Sequence, residues 1–178
     1  TEDRKDGMIY RYLPNNRTRL LKGGKLQALA FKDRYSLDTR NWNETNILKN
    51  KPFEVEWLYI NDIESPNDDL RYQGFEKGCA RFARPEGMWE HNGEIFFTCT
   101  TGGKEKLGQI WKYIPSRYEG TSDEKSSPAK LELFFESNNS KSLDMCDNIT
   151  VSPWGDVIVC EDGSGVDYLV GIKADGSK

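Results

Sequence analysis

The chain has 178 residues, enough for one ordinary domain, and 36% of them are hydrophobic, with 12% aromatic. Its 29 acids and 25 bases are interspersed and leave a net charge of −4. Over the whole chain that balance points to neither a nucleic-acid nor an anionic-membrane surface, and no run approaches the ~20 apolar residues of a membrane-spanning helix.

The chain starts Thr1-Glu2-Asp3, with no initiator Met, charged leader or apolar leader core. It stops at the turn Lys173-Ala174-Asp175-Gly176, where another strand is expected. The sequence is therefore read as a piece of a longer protein, any targeting segment lying outside it.

Strand patterns dominate from the start. Residues 8–12 alternate apolar and polar and run to Pro14, with a further strand expected over 18–21. Residues 26–31 and 54–60 read as strands of a less regular unit. The polar stretch 36–52 between them is expected to be a short helical or irregular insertion. Residues 87–91, 94–100, 109–113 and 131–136 then form a regular set of four. Asn92-Gly93 joins the first two and suits the positive φ angles of a type I′ hairpin. The Ser-, Lys- and Glu-rich stretch 116–129 is expected to be a long disordered loop.

Two internal repeats set the fold class. Gly7-Met8-Ile9-Tyr10-Arg11-Tyr12-Leu13-Pro14 recurs as Gly108-Gln109-Ile110-Trp111-Lys112-Tyr113-Ile114-Pro115. Arg84-Pro85-Glu86-Gly87-Met88-Trp89 recurs as Cys146-Asp147-Asn148-Ile149-Thr150-Val151, each leading through a tight turn into a strand. Aligned on Gly93 and Gly155, the copies place Glu86 over Asn148, Glu94 over Asp156 and Thr98 over Cys160. A repeat of four antiparallel strands is the blade of a β-propeller. The expectation is an all-β chain holding about two and a half blades of an incomplete propeller, with 83–136 one complete blade and 146–178 the start of the next.

Inner strands of a propeller line its channel, so residues at their heads converge there. Glu86 and Asn148 are such residues by the repeat, with Asp147 beside Asn148, and Glu161 and Asp162 close the following strand. Carboxylate and amide oxygens are hard donors, suited to Ca²⁺ or Mg²⁺ rather than zinc. Arg84 lies two residues before Glu86, on the same face if the strand is extended, and its planar fork suits phosphate. The same residues also fit a structural reading, with Arg84 and Glu86 as an ion pair, Asp147 and Asn148 as strand-capping turn residues, and Glu161-Asp162-Gly163 as an acidic turn. Both readings stay open at this level. Trp89, Trp111 and Trp154 read as core or inter-blade packing, and Cys79, Cys99, Cys146 and Cys160 as buried free thiols. A Cys146–Cys160 bridge is neither required nor excluded by spacing. Thr101-Gly102-Gly103-Lys104 lacks the spacing and following helix of a phosphate loop.

The run Ala83 to Trp89, together with Thr100-Thr101-Gly102-Gly103, Gly108-Gln109-Ile110-Trp111-Lys112-Tyr113, Asp147 to Gly155 and Cys160-Glu161-Asp162-Gly163, resembles the C-terminal half of the PhoX-type alkaline phosphatases. The resemblance is specific from Arg71 to Gly176 and looser before it. It implies a six-bladed propeller, export in folded form by the twin-arginine route to the periplasm or beyond, and hydrolysis of small phosphomonoesters at a calcium and iron centre. It also implies that Arg84 contacts phosphate and Glu86 holds metal, with Asp147, Asn148, Glu161 and Asp162 as candidate calcium ligands. The family's iron site draws a cysteine and further acids from an N-terminal half, so this chain alone is expected to be inactive and its missing blades to come from the rest of a parent chain. A calcium-dependent lactonase-like propeller and a non-catalytic scaffold are the alternatives. The first would not need Arg84, and the second would show cation-dependent stability without turnover.

Overall fold

The computed structural model describes residues 3–178, so the reading of Thr1 and Glu2 lies outside the described residues. The elements run β1 (Tyr10–Pro14), β2 (Gly24–Phe31), β3 (Phe53–Tyr59), α1 (Leu70–Glu76), β4 (Pro85–His91), β5 (Glu94–Cys99), β6 (Gln109–Ile114), β7 (Ala129–Glu136), β8 (Cys146–Val151), β9 (Val157–Glu161) and β10 (Leu169–Ile172). Seven strands form one antiparallel sheet in the order β1-β2-β3-β7-β6-β5-β4, and β10-β9-β8 form a second. The larger sheet curls into a half-barrel, and the whole is an incomplete, all-β propeller.

Side-chain alternation explains why β4–β7 stands between two neighbours. In β5, Phe97 faces a core shared with Leu29 and Phe31 of β2 and Val55 of β3. Its neighbour Phe96 faces the other way, onto Ile149, Val157, Val159 and Ile172 of the second sheet. Trp111 and Ile110 of β6 divide in the same manner. A sheet buried on both faces needs near-continuous apolar strands, which is how Ile95-Phe96-Phe97 and Leu133-Phe134-Phe135 read. Phe82 sets its ring edge-on to Phe97 at 5.6 Å and to Trp111 at 5.5 Å, an arrangement the ring quadrupoles favour.

The two halves of the large sheet join along an edge of three residue pairs, Phe53↔Leu131, Glu54↔Lys130 and Val55↔Ala129. The Asn92-Gly93 turn has φ of 52° and 81°, as the type I′ expectation required.

Three expectations need correction, and one element lacks a counterpart in the sequence reading. Residues 18–21 form no strand; Leu20–Lys22 make a 3₁₀ turn, and β2 is the partner of β1. The stretch 116–129 is ordered, because Arg11 reaches across to Glu119 and, at 2.5 and 2.6 Å, to both oxygens of Glu124. Its 3₁₀ segment Ser122–Ser126 is capped by Thr121. Helix α1 had no signal in the sequence; it packs its Gly74 so close to Met8 that a β-carbon there would stand 2.5 Å from the sulfur. Trp111 is core, but Trp89 and Trp154 are exposed, and the indole of Trp154 donates to Asp156. The insertion at 36–52 is irregular, as one of the two forms expected of it.

Candidate functional site

Strand β4 is entered through Arg84, whose φ of 52° lies in the left-handed region that side-chain-bearing residues seldom occupy. The backbone is held there from two sides. Its N–H donates to the Arg4 carbonyl at 3.0 Å and its carbonyl accepts from the Thr100 N–H at 2.9 Å. The same turn recurs before β8. Met145 has φ of 57°, and its carbonyl accepts from the Asp162 N–H at 2.9 Å.

A bulge follows each turn, between Pro85 and Met88 in one copy and between Cys146 and Ile149 in the other. The flanking pairs Pro85↔Cys99 and Cys146↔Glu161 then fix the equivalence. Glu86 corresponds to Asp147, and Gly87 to Asn148. The alignment on Gly93 and Gly155 was one residue out along the inner strand, because the turn between β8 and β9 is one residue longer than that between β4 and β5.

The two inner strands touch. A β-carbon at Gly87 would lie 2.7 Å from Asn148 Cα and Oδ1 and 2.8 Å from the Ile149 nitrogen. The Thr98 hydroxyl donates to the Asp147 carbonyl and ties β5 to β8. Glu86 and Asp147 are thereby brought to neighbouring heads of adjacent blades.

Around them the charges converge on one guanidinium. Arg84 Nη2 lies 2.7 Å from Asp3, 3.6 Å from Glu86 and 3.6 Å from Asp162. The backbone N–H of Asp3 also donates to Glu86 at 3.2 Å. Arg84 and Glu86 thus meet as expected, though through a left-handed turn and a bulge rather than by strand alternation. The Glu86 side chain is 12% exposed. Burial first, then the hydrogen bond and charge of Asp3, push its carboxyl up to about 7, and the charge of Asp147 adds to the effect.

The other candidates fall differently. Asp162 is exposed but within reach of Arg84. Asn148 is exposed, and its Oδ1 accepts from the Ile149 N–H at 2.9 Å. Glu161 is outside the cluster, for its two oxygens accept from the backbone of Asp144 at 2.8 Å and of Tyr168 at 3.0 Å. It clasps two loops. Asp3 joins the site without any pattern in the sequence that marks it. The pairing of Gly7 with Phe82 is what lays the first residues beside Arg84.

The donor chemistry suits a hard cation. A largely buried carboxyl held up near 7, with carboxylates for neighbours, sits in an excess of negative charge that a cation relieves. The buried hydroxyl of Thr100, on the residue that holds the Arg84 carbonyl, has no partner among the described residues. The donor count is short, however. Among the described residues no three His, Cys, Asp or Glu side chains gather to hold a metal ion. Thiolate ligation does not fit. The four cysteines are free; Cys79, Cys99 and Cys146 are buried as expected, but Cys160, expected to be buried, is exposed. Burial pushes the Cys146 thiol up to about 12 and that of Cys99 well above its ordinary range.

The family model described as "Alkaline phosphatase PhoX" matches residues 1–178, which extends the likeness through the first strands as well. No curated protein and no solved structure matches the chain.

Proposed function

The chain belongs to the alkaline phosphatase PhoX family, and from that premise we propose that the cluster around Arg84 is the phosphate-binding part of a phosphomonoesterase site. The observation that carries the reading is the position of one guanidinium among Asp3, Glu86 and Asp162, at the heads of two inner strands that meet at Gly87. A planar cation there takes two oxygens of a phosphoryl group and neutralises the charge that grows on them during transfer. Asp3 holds the guanidinium in place, and the fixed turn at Arg84 sets where its stem starts.

Glu86, Asp147 and Asp162 are the residues that would hold calcium, and a bound cation would supply further charge neutralisation on the phosphoryl oxygens. Asn148 is one residue too far along the inner strand for the equivalent role, and Glu161 serves the loops. Further blades of the ring would contribute the remaining ligands, including any for iron. Periplasmic or secreted placement follows the family. No helix among the described residues is long and apolar enough to cross a membrane.

The test is direct. Hydrolysis of p-nitrophenyl phosphate, with calcium and iron supplied, should be chelator-sensitive in the protein that carries the complete ring, and phosphate should bind the 178-residue chain through Arg84. Binding of phosphate that is indifferent to Arg84→Ala would overturn the reading. Turnover of lactones, equally indifferent to that change, would favour the lactonase alternative.

A further inference from the structure

The hairpin joining β1 to β2 carries a charge pattern the whole-chain balance conceals. Residues 7–32 contain six bases and no acid, within a chain of net charge −4. Arg11 is committed to Glu119 and Glu124, and Lys32 to Glu54. Arg17, Arg19, Lys22 and Lys25 are exposed at the tip, with no ion pair among the described residues.

The tip is a built turn. The Asn15 N–H donates to the Gly23 carbonyl at 2.9 Å, and the Asn16 side chain accepts from both the N–H and hydroxyl of Thr18, at 2.9 and 2.8 Å. The Lys22 N–H returns to the Arg19 carbonyl at 2.9 Å. The Tyr12 hydroxyl donates to the Leu20 carbonyl, and its ring crosses Gly24 so closely that a β-carbon there would stand 2.5 Å from it. This scaffold faces two leucines outward, Leu20 at 57% and Leu21 at 103% relative exposure. Leu21 buries nothing in the fold, and Leu20 less than half of its surface. The adjoining cleft of about 470 Å³ is lined by Ile63, which Asp62 and Glu64 flank in the chain.

We propose that this tip docks the protein on an anionic lipid surface, with Leu20 and Leu21 entering the acyl boundary and Arg17, Arg19, Lys22 and Lys25 resting among the headgroups. Two exposed leucines among cations that form no ion pair among the described residues, with Lys25 resting 5.1 Å over the Tyr59 ring, match a layer that is anionic outside and apolar within. Neither signal is sufficient alone, since stable anchoring takes an apolar insertion and a basic patch together. The acidic remainder of the chain is repelled by the same surface, which leaves one orientation.

The experiment is co-sedimentation of the full chain with phosphatidylcholine vesicles, with and without phosphatidylglycerol. Binding is expected only to the anionic vesicles and is reversed by high salt. Each of Arg17→Ser, Arg19→Ser, Lys22→Ser and Lys25→Ser should weaken partitioning about fivefold. Leu20→Ser with Leu21→Ser should weaken it tenfold or more. All six side chains are exposed, so circular dichroism melts should match the parent, which separates lost docking from lost folding. Three results overturn the proposal: no binding to anionic vesicles, binding that survives removal of both leucines, or retention on heparin without vesicle binding.

Discussion

Arg84 and Met145 share one backbone conformation, at φ of 52° and 57°, each standing just before an inner strand. In each case the carbonyl is held by the N–H of the residue just past the end of the next strand, Thr100 or Asp162. The turn is therefore architecture, repeated from blade to blade, and the guanidinium is the chemistry added to one copy of it. A left-handed residue that carries a side chain costs on the order of 1 kcal/mol or more, so the surrounding hydrogen bonds hold it against that cost.

Arg84→Met follows from this pairing. The second copy already carries methionine in that conformation, so the turn should survive, and the fold should lose only about 1–3 kcal/mol for the charge-assisted contacts of Arg84 with Asp3 and Glu86. Phosphate affinity should drop tenfold or more. Denaturant melts beside phosphate titration of the same variant measure both. A large loss of stability would mean that the arginine is structural.

The blade equivalence separates Asp147 from its neighbour. Asp147→Ala should weaken stabilisation by calcium, read as the shift in melting temperature on adding the ion. Asn148→Ala should leave that shift unchanged. The opposite ranking would restore the alignment through the turn glycines.

Glu86 has a pH signature in the metal-free chain. Its folded carboxyl is raised from 4.5 to about 7, so the folded state favours the protonated form. The stability it contributes is complete below pH ~4.5 and is lost as pH rises through 7. A loss of roughly 2–3 kcal/mol is expected across that window, and Glu86→Gln should flatten it. The lowered carboxyl of Asp3 acts at more acidic pH and does not mask it. Melting curves in chelator at several pH values decide the matter; an unchanged slope in the variant would assign the effect to another group.

Gly87→Ala tests the junction of the blades. The new methyl would meet the backbone of Asn148 and Ile149, which cannot rotate aside. A cost of about 1–3 kcal/mol is expected from overpacking, with β4 and β8 forced apart. Stability equal to the parent would show that the strands separate freely.

The strands, the type I′ turn and the repeated inner-strand motif were legible in the sequence because they depend on local periodicity and on residues with special φ. Arg84 and Glu86 were legible as a pair from their spacing, although the fold joins them through a left-handed turn and a bulge. The one-residue slip that exchanged Asp147 for Asn148 came from turn length, which an alignment on glycines does not register. Asp3 was invisible because its place depends on a pairing between Gly7 and Phe82, far apart in the chain. Glu161 looked like a ligand by position, but only the fold shows that its oxygens are taken by Asp144 and Tyr168. The order of 116–129 escaped composition altogether, since it rests on the reach of Arg11 from the other half of the sheet.

The narrow seam between β3 and β7 has a kinetic meaning. Val55 meets Ala129 only after α1, β4, β5 and β6 have been traversed, whereas each of β4 to β6 pairs with its immediate successor. Contacts of low sequence separation form early, and closing so long a loop is deferred until the meander offers an edge to dock on. With three residue pairs, the seam is the weakest part of the ladder. It closes last on folding, and it is where the half-barrel first comes ajar.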